Sequence, residues 1–281
     1  MTRARLHHEI AGDHGSPVLL IMGLIMPGRA WVHQVAALSA HHRVITFDNR
    51  GIGRSERTRG PYRMDQLADD AVGLLDELGL PDAHIVGVSM GGHISQHLAL
   101  RHRDRVRSLS LIATHAGGWR ARLPDRQGIW WFLRAQTGDR DARGRAVANL
   151  LYPKAWLANA DPANLRALLE NDLGQPVSRS VMLAQVAAIL GHDAAARLRE
   201  LAGIPTLIVR PGLDCLIRPR ESDRLHRLLP HARLVRIDDA GHGVIRQCPD
   251  TVNAELLRHF AEVDAALALA DPAVAGYAGH R

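Results

Sequence analysis

Six short apolar runs set the frame of this chain: Pro17–Met22, Arg43–Phe47, Ala83–Val88, Val106–Ala113, Pro205–Val209 and Ala232–Ile237. Each is nearly continuous in apolar residues rather than alternating. That pattern suits strands covered on both faces, as in a parallel sheet. Helix-length stretches lie between them. Met64–Leu78 puts Leu67, Ala71, Leu74, Leu75 and Leu78 on one stripe, and Gly92–His102, Arg218–Leu229 and Pro249–Leu269 read as further helices. Strand–helix alternation predicts an α/β fold with a doubly wound, mostly parallel sheet.

The rhythm breaks from about residue 117 to 198. Only helix-length pieces remain there, punctuated by Tyr152-Pro153, Asp161-Pro162 and Gln175-Pro176. The stretch holds Trp119, Trp130, Trp131 and Trp156, with Phe132 and Tyr152. We expect a helical cap over 117–198 inserted into a core built from 1–116 and 199–270, with 271–281 as a frayed tail. The cap's rings either line an apolar substrate roof or fill the cap's own core.

Composition narrows the classes. The 281 residues, 46% hydrophobic and 23% charged, exclude a disordered chain. The net charge of +6 comes almost wholly from arginine, since Lys154 is the lone lysine. No stretch interleaves basic and aromatic residues, so no nucleic-acid partner is expected. No run reaches the length of a membrane span. Cys215 and Cys248 suit packed thiols rather than a disulfide framework. The polar stretch His7–Ser16 and the lack of an A-x-A site argue against a signal peptide. The expected location is cytoplasmic.

One motif carries chemistry. Gly87-Val88-Ser89-Met90-Gly91 fits G-x-S-x-G directly after a strand run and directly before a helix run. The turn exposes the Ser89 hydroxyl at a helix N-terminus, which favours a developing anion. A serine needs a base, and the base needs a carboxylate. Most of the 17 histidines carry no signal. His7, His8, His41, His42 and His102 lie at element ends, where exposed histidines are common. His242 stands in Ala240-Gly241-His242-Gly243, after the last strand run and at the same sheet edge as Ser89. Asp214 follows another strand end in Arg210-Pro211-Gly212-Leu213-Asp214. Asp238 and Asp239 lie nearer His242 in sequence and are expected to face solvent. An oxyanion hole needs two backbone donors. The expected pair is Met90 N–H and Leu24 N–H, the latter in Gly23-Leu24-Ile25-Met26-Pro27-Gly28.

Together these residues resemble the α/β-hydrolase superfamily, over about residues 4–265. Asp48-Asn49-Arg50-Gly51-Ile52-Gly53-Arg54-Ser55 resembles that family's D-x-R-G-x-G-x-S loop, and Leu67-Ala68-Asp69-Asp70 its following helix. Met22-Gly23 and Gly87-Val88 depart from the commoner His-Gly and Gly-His forms. The Met-Gly form is similar to that of aclacinomycin methylesterase-like esterases. The resemblance implies a serine hydrolase acting on a small, largely apolar carboxylic ester or lactone, with no metal or organic cofactor. The same fold also hosts C–C hydrolysis, acyl transfer, elimination or cyclisation, perhydrolysis and haloperoxidation, and it serves as a ligand-binding receptor.

Overall fold

A computed structural model of the chain describes residues 3–119, 121, 123–163, 165–166 and 177–270. The expected frayed tail lies outside these residues, as does part of the expected cap. The sheet has seven strands: β1 (His8–Ala11), β2 (Pro17–Ile21), β3 (Arg43–Phe47), β4 (Ala83–Val88), β5 (Val106–Ile112), β6 (Thr206–Pro211) and β7 (Arg233–Ile237). They lie in the order β1-β3-β2-β4-β5-β6-β7. Every pair is parallel except β1 with β3. The six apolar runs are the six parallel strands.

β1 falls in the stretch the sequence marks only as polar. It is an edge strand with no fully buried residue, so it carries no continuous apolar run. Its antiparallel register, His8 opposite Phe47, is set by the backbone ladder.

Helices cover both faces. The first are α1 (Val32–Leu38), α2 (Met64–Glu77) and α3 (Met90–Arg101). After β5 come α4 (Arg126–Arg134), α5 (Arg140–Leu151), α6 (Lys154–Asn159) and α7 (Arg179–Gly191), with no strand between them among the described residues. The last three are α8 (Pro219–Leu228), α9 (Val244–Gln247) and α10 (Pro249–Ala270). Two apolar clusters result, one on each side of the sheet. Leu19, Ile45, Ile85 and Leu109 pack with α2 and α3, while Val18, Leu20, Val44, Val86 and Leu207 pack with α1 and α10. Adjacent residues of β2 go to opposite clusters, which is why the run is apolar throughout.

Two expectations change. His42 is buried rather than exposed; its ring meets Phe260 edge-on, 5.3 Å between centroids. Trp119 and Trp130 do not fill a cap core, since they are 68% and 51% exposed. No described helix is long and apolar enough to cross a membrane.

Candidate active site

Ser89 sits between β4 and α3 with φ 55° and ψ −121°, a conformation that non-glycine residues rarely adopt. The strain is locked from several sides. Ser89 N–H donates to Ile112 O at 2.9 Å, and the Ser89 carbonyl accepts from Gly92 N and Thr114 Oγ1, both at 2.9 Å. Glycine is required next door. A Cβ at Gly91 would stand 2.0 Å from Ile21 O, and one at Gly87 would stand 2.3 Å from Gly91 O. β2 and β4 can approach α3 this closely only without those side chains.

The loop after β2 lies beside the serine. A Cβ at Gly23 would come 3.2 Å from Ser89 Cβ, so the residue before Leu24 packs directly against the serine. Met90 N–H opens α3, where a first-turn amide has no intrahelical acceptor. The two residues expected to supply the oxyanion donors therefore adjoin Ser89 along the chain or through Gly23: Met90 at the start of α3 and Leu24 in the loop after β2.

The 48–55 segment explains why the β2 loop holds its shape. Asp48 Oδ1 accepts from Gly28 N at 2.8 Å, and Asn49 Nδ2 donates to Met22 O at 3.0 Å. Arg50 is buried and forks onto Asp70, Nε to Oδ2 at 2.5 Å and Nη2 to Oδ1 at 2.6 Å. Ser55 Oγ donates to Asp48 O at 2.5 Å. Asp48 and Asn49 thus fix backbone of the loop after β2, Ser55 holds the Asp48 carbonyl, and Arg50 anchors the motif to α2. From the other side, Gln185 on α7 accepts from Ile25 N at 2.9 Å. Ile25 has φ 56°, which a β-branched residue adopts only under constraint. Sequence reading passed over Gln185, because nothing local ties a helix residue to a loop 160 positions away.

Asp214 and His242, the expected acid and base, meet at the ends of β6 and β7. His242 Nδ1 lies 2.7 Å from Asp214 Oδ2, and both residues are buried. Asp214 Oδ1 is already held by Leu216 N and Ile217 N at 2.8 Å each, so Oδ2 is the oxygen aimed at the ring. The two loops are tied together by Leu213 N–H donating to Ala240 O at 2.8 Å. Gln247 Oε1 accepts from Gly241 N at 2.8 Å, and Gly243 N–H donates to Leu151 O at 2.8 Å. The end of α5 therefore seats the histidine loop. Asp238 and Asp239 are exposed, and Asp238 pairs with Arg210. Neither competes for His242.

Electrostatics separate the neighbours. Burial, with the Asp214 charge beside it, pushes the Cys215 thiol up to about 12, so it stays protonated and is no rival nucleophile. Both cysteines are free. Burial, with nearby histidines including His242, pushes His93 well down. A cavity of about 170 Å³ lies between β1, β3 and the 48–54 loop, lined by Glu9, Arg29 and Arg54 among others. It includes none of these candidate residues, and its ion-pairing walls make it a surface cleft.

With Nδ1 engaged by Asp214, His242 keeps Nε2 for a hydroxyl brought within reach; no hydrogen bond joins it to Ser89 Oγ. The arrangement can support nucleophilic attack with a stabilised oxyanion. The chain is 34% identical over 268 residues to the "Putative carbamate hydrolase RutD" of Azorhizobium caulinodans, covering 93% of this chain and 97% of the relative. It is 32% identical over 261 residues to the "Putative non-heme bromoperoxidase BpoC" of Mycobacterium tuberculosis, covering 89% and 96%. Among solved structures, the enol-lactonase of Burkholderia xenovorans LB400 superposes with a TM-score of 0.79 at 27% identity, covering 92% and 97%. A family model described as alpha/beta hydrolase fold matches residues 16–245, and the chain belongs to that family of hydrolases.

Proposed function

We propose that the protein is a serine hydrolase that cleaves a carboxylic ester or lactone of a small, largely apolar substrate through Ser89, His242 and Asp214. His242 Nε2 removes the Ser89 proton as Oγ attacks the carbonyl carbon. Leu24 and Met90 N–H groups hold the tetrahedral oxyanion. His242 then protonates the leaving alcohol as the C–O bond breaks, which gives an acyl-enzyme. Water attacks that ester with His242 again as base, and the carboxylate departs. Asp214 holds the ring in the Nδ1–H tautomer throughout. The observation that carries this reading is the buried His242–Asp214 pair at 2.7 Å, on the same sheet edge as a serine at φ 55°.

The half-buried Trp131 and Phe132 and the exposed Trp119 and Trp130 supply an apolar roof in the proposed 117–198 cap. A panel of p-nitrophenyl esters and lactones of graded length, with Ser89→Ala as the blank, tests the reading. Turnover with short acyl chains that vanishes in the variant supports it; equal turnover by the variant overturns it.

A second acyl class is favoured by the relatives. Several are named as carbamate hydrolases, and a carbamate carbonyl passes through the same tetrahedral intermediate. Carbamate esters in the same panel separate the two substrate classes.

A further inference from the structure

Three histidines far apart in sequence, His93, His115 and His192, gather at the nucleophile helix, with His97 of the same helix beside them. His93 lies in the first turn of α3, four residues after Ser89. His115 follows β5, where the chain leaves the sheet, and His192 follows α7, where the chain returns. Those two chain segments are tied by Ala194 N–H donating to Ala116 O at 3.0 Å and by a bridge between Gly117 and Asp193. His93, His115 and His192 are all buried, and one ring nitrogen from each lies within 4.8 Å of the other two. The His93 ring stacks 4.1 Å from His192 and tilts 4.3 Å from His115.

One observation says that His93 is not satisfied by protein atoms alone. Both of its ring nitrogens are buried with no protein partner, although an imidazole always carries a donor or an acceptor at each. Beside it, His97 Nδ1 faces Asp65 Oδ1 at 2.5 Å, His97 Nε2 lies 3.2 Å from His192 Nδ1, and His192 Nε2 lies 3.2 Å from the His115 carbonyl oxygen.

We propose that His93, His115 and His192 bind a borderline divalent transition-metal ion that ties the nucleophile helix to both chain crossings at the base of the α4–α7 segment. Imidazole donors suit zinc, nickel, copper and cobalt, and exclude magnesium and calcium as the preferred ion. Asp65 faces His97 and His97 faces His192, an outer chain that orients the His192 ring toward the ion, as outer-shell partners of metal ligands do. Zinc–nitrogen bonds of about 2.0–2.1 Å at tetrahedral angles put ligand atoms roughly 3.3 Å apart, so the nitrogens close by at most about 1.5 Å and His93, stacked on His192, turns so that its in-plane lone pair meets the shared ion. His93 has no protein hydrogen bond to give up in doing so. His115 does: its Nδ1 accepts from Gly117 N at 2.9 Å, and that bond is exchanged or the ring turns.

The test uses the full-length protein, stripped with a chelator and then given zinc or cobalt(II). Elemental analysis after desalting is expected to show a stoichiometric ion, with a higher Tm than the stripped protein. Cobalt is expected to give the intense visible bands of a tetrahedral site. X-ray absorption of the zinc form is expected to show imidazole scattering from three rings. His93→Phe is expected to abolish retention, and His97→Phe to weaken it by about 10–100-fold through the lost outer chain. The unmodified protein's absorption spectrum decides the question even if a variant fails to fold. No retained metal, a shell dominated by oxygen, or undiminished retention by a folded His93→Phe variant overturns the proposal. These readouts do not depend on ester hydrolysis.

Discussion

His242 Nδ1 and Asp214 Oδ2 are 2.7 Å apart although 28 residues separate them, and neither loop closes that distance alone. Leu213 N–H to Ala240 O joins the loops, while two turn amides fix the other carboxylate oxygen. The relationship sets the base tautomer. Asp214→Asn preserves the shape but lets the ring adopt the wrong tautomer, so ester turnover is expected to fall by up to about 10⁴-fold. An unchanged rate would mean that another carboxylate serves His242.

Ser89 and His242 are expected to act as one unit. Ser89→Ala and His242→Ala each lower kcat by several orders of magnitude, with the double variant barely worse than either. Single- and double-variant kinetics on one ester check this. Losses that multiply would argue for two independent contributions.

Gln185 reaches from α7 to hold Ile25 N at 2.9 Å in a left-handed conformation. Leu24 N–H sits one residue away. Gln185→Leu removes the acceptor and frees the loop, so kcat is expected to fall by up to about 100-fold with KM little changed. Gln185→Glu keeps an acceptor oxygen and should retain more activity. A pure KM effect, or equal losses in both variants, would place Gln185 in substrate binding or packing instead.

Arg50 and Asp70 are a buried, forked ion pair, with Asp70 Oδ1 also accepting from Ala4 N at 3.0 Å. Removing one partner leaves an uncompensated buried charge. Asp70→Ala is expected to destabilise by roughly 3–5 kcal/mol. Urea unfolding measures it, and a loss below about 1 kcal/mol, the worth of an exposed pair, would contradict the buried-pair account.

His259, buried on α10, gives stability a pH dependence. Burial pushes it down to about 4, with the Arg233 and His84 charges acting the same way. The unfolded chain titrates near 6.5. Between those values the unfolded state binds the proton and the native state does not, so stability falls as pH drops from about 6.5 to 4. Above that window the residue contributes no slope. His259→Asn removes this titration and should flatten the fall by up to about 1.4 kcal/mol per pH unit. Parallel unfolding curves against pH in both proteins would refute the assignment.

The sequence by itself determined the parallel core and the serine. Both depend on local order: a strand buried on both faces must be apolar at every position, and the elbow's glycines must flank the nucleophile within five residues. Gly91 shows why, since no Cβ fits 2.0 Å from Ile21 O. His242 and Asp214 were legible for a related reason, because a parallel sheet delivers every strand's C-terminal end to one edge. Tertiary structure alone decided the rest. β1 buries no residue fully and pairs by backbone, so its side chains leave no pattern. Gln185 meets Ile25, and His93 meets His115 and His192, only because α7 returns beside the elbow. No spacing rule links positions 93, 115 and 192; their encounter is fixed by where the chain leaves the sheet and where it comes back.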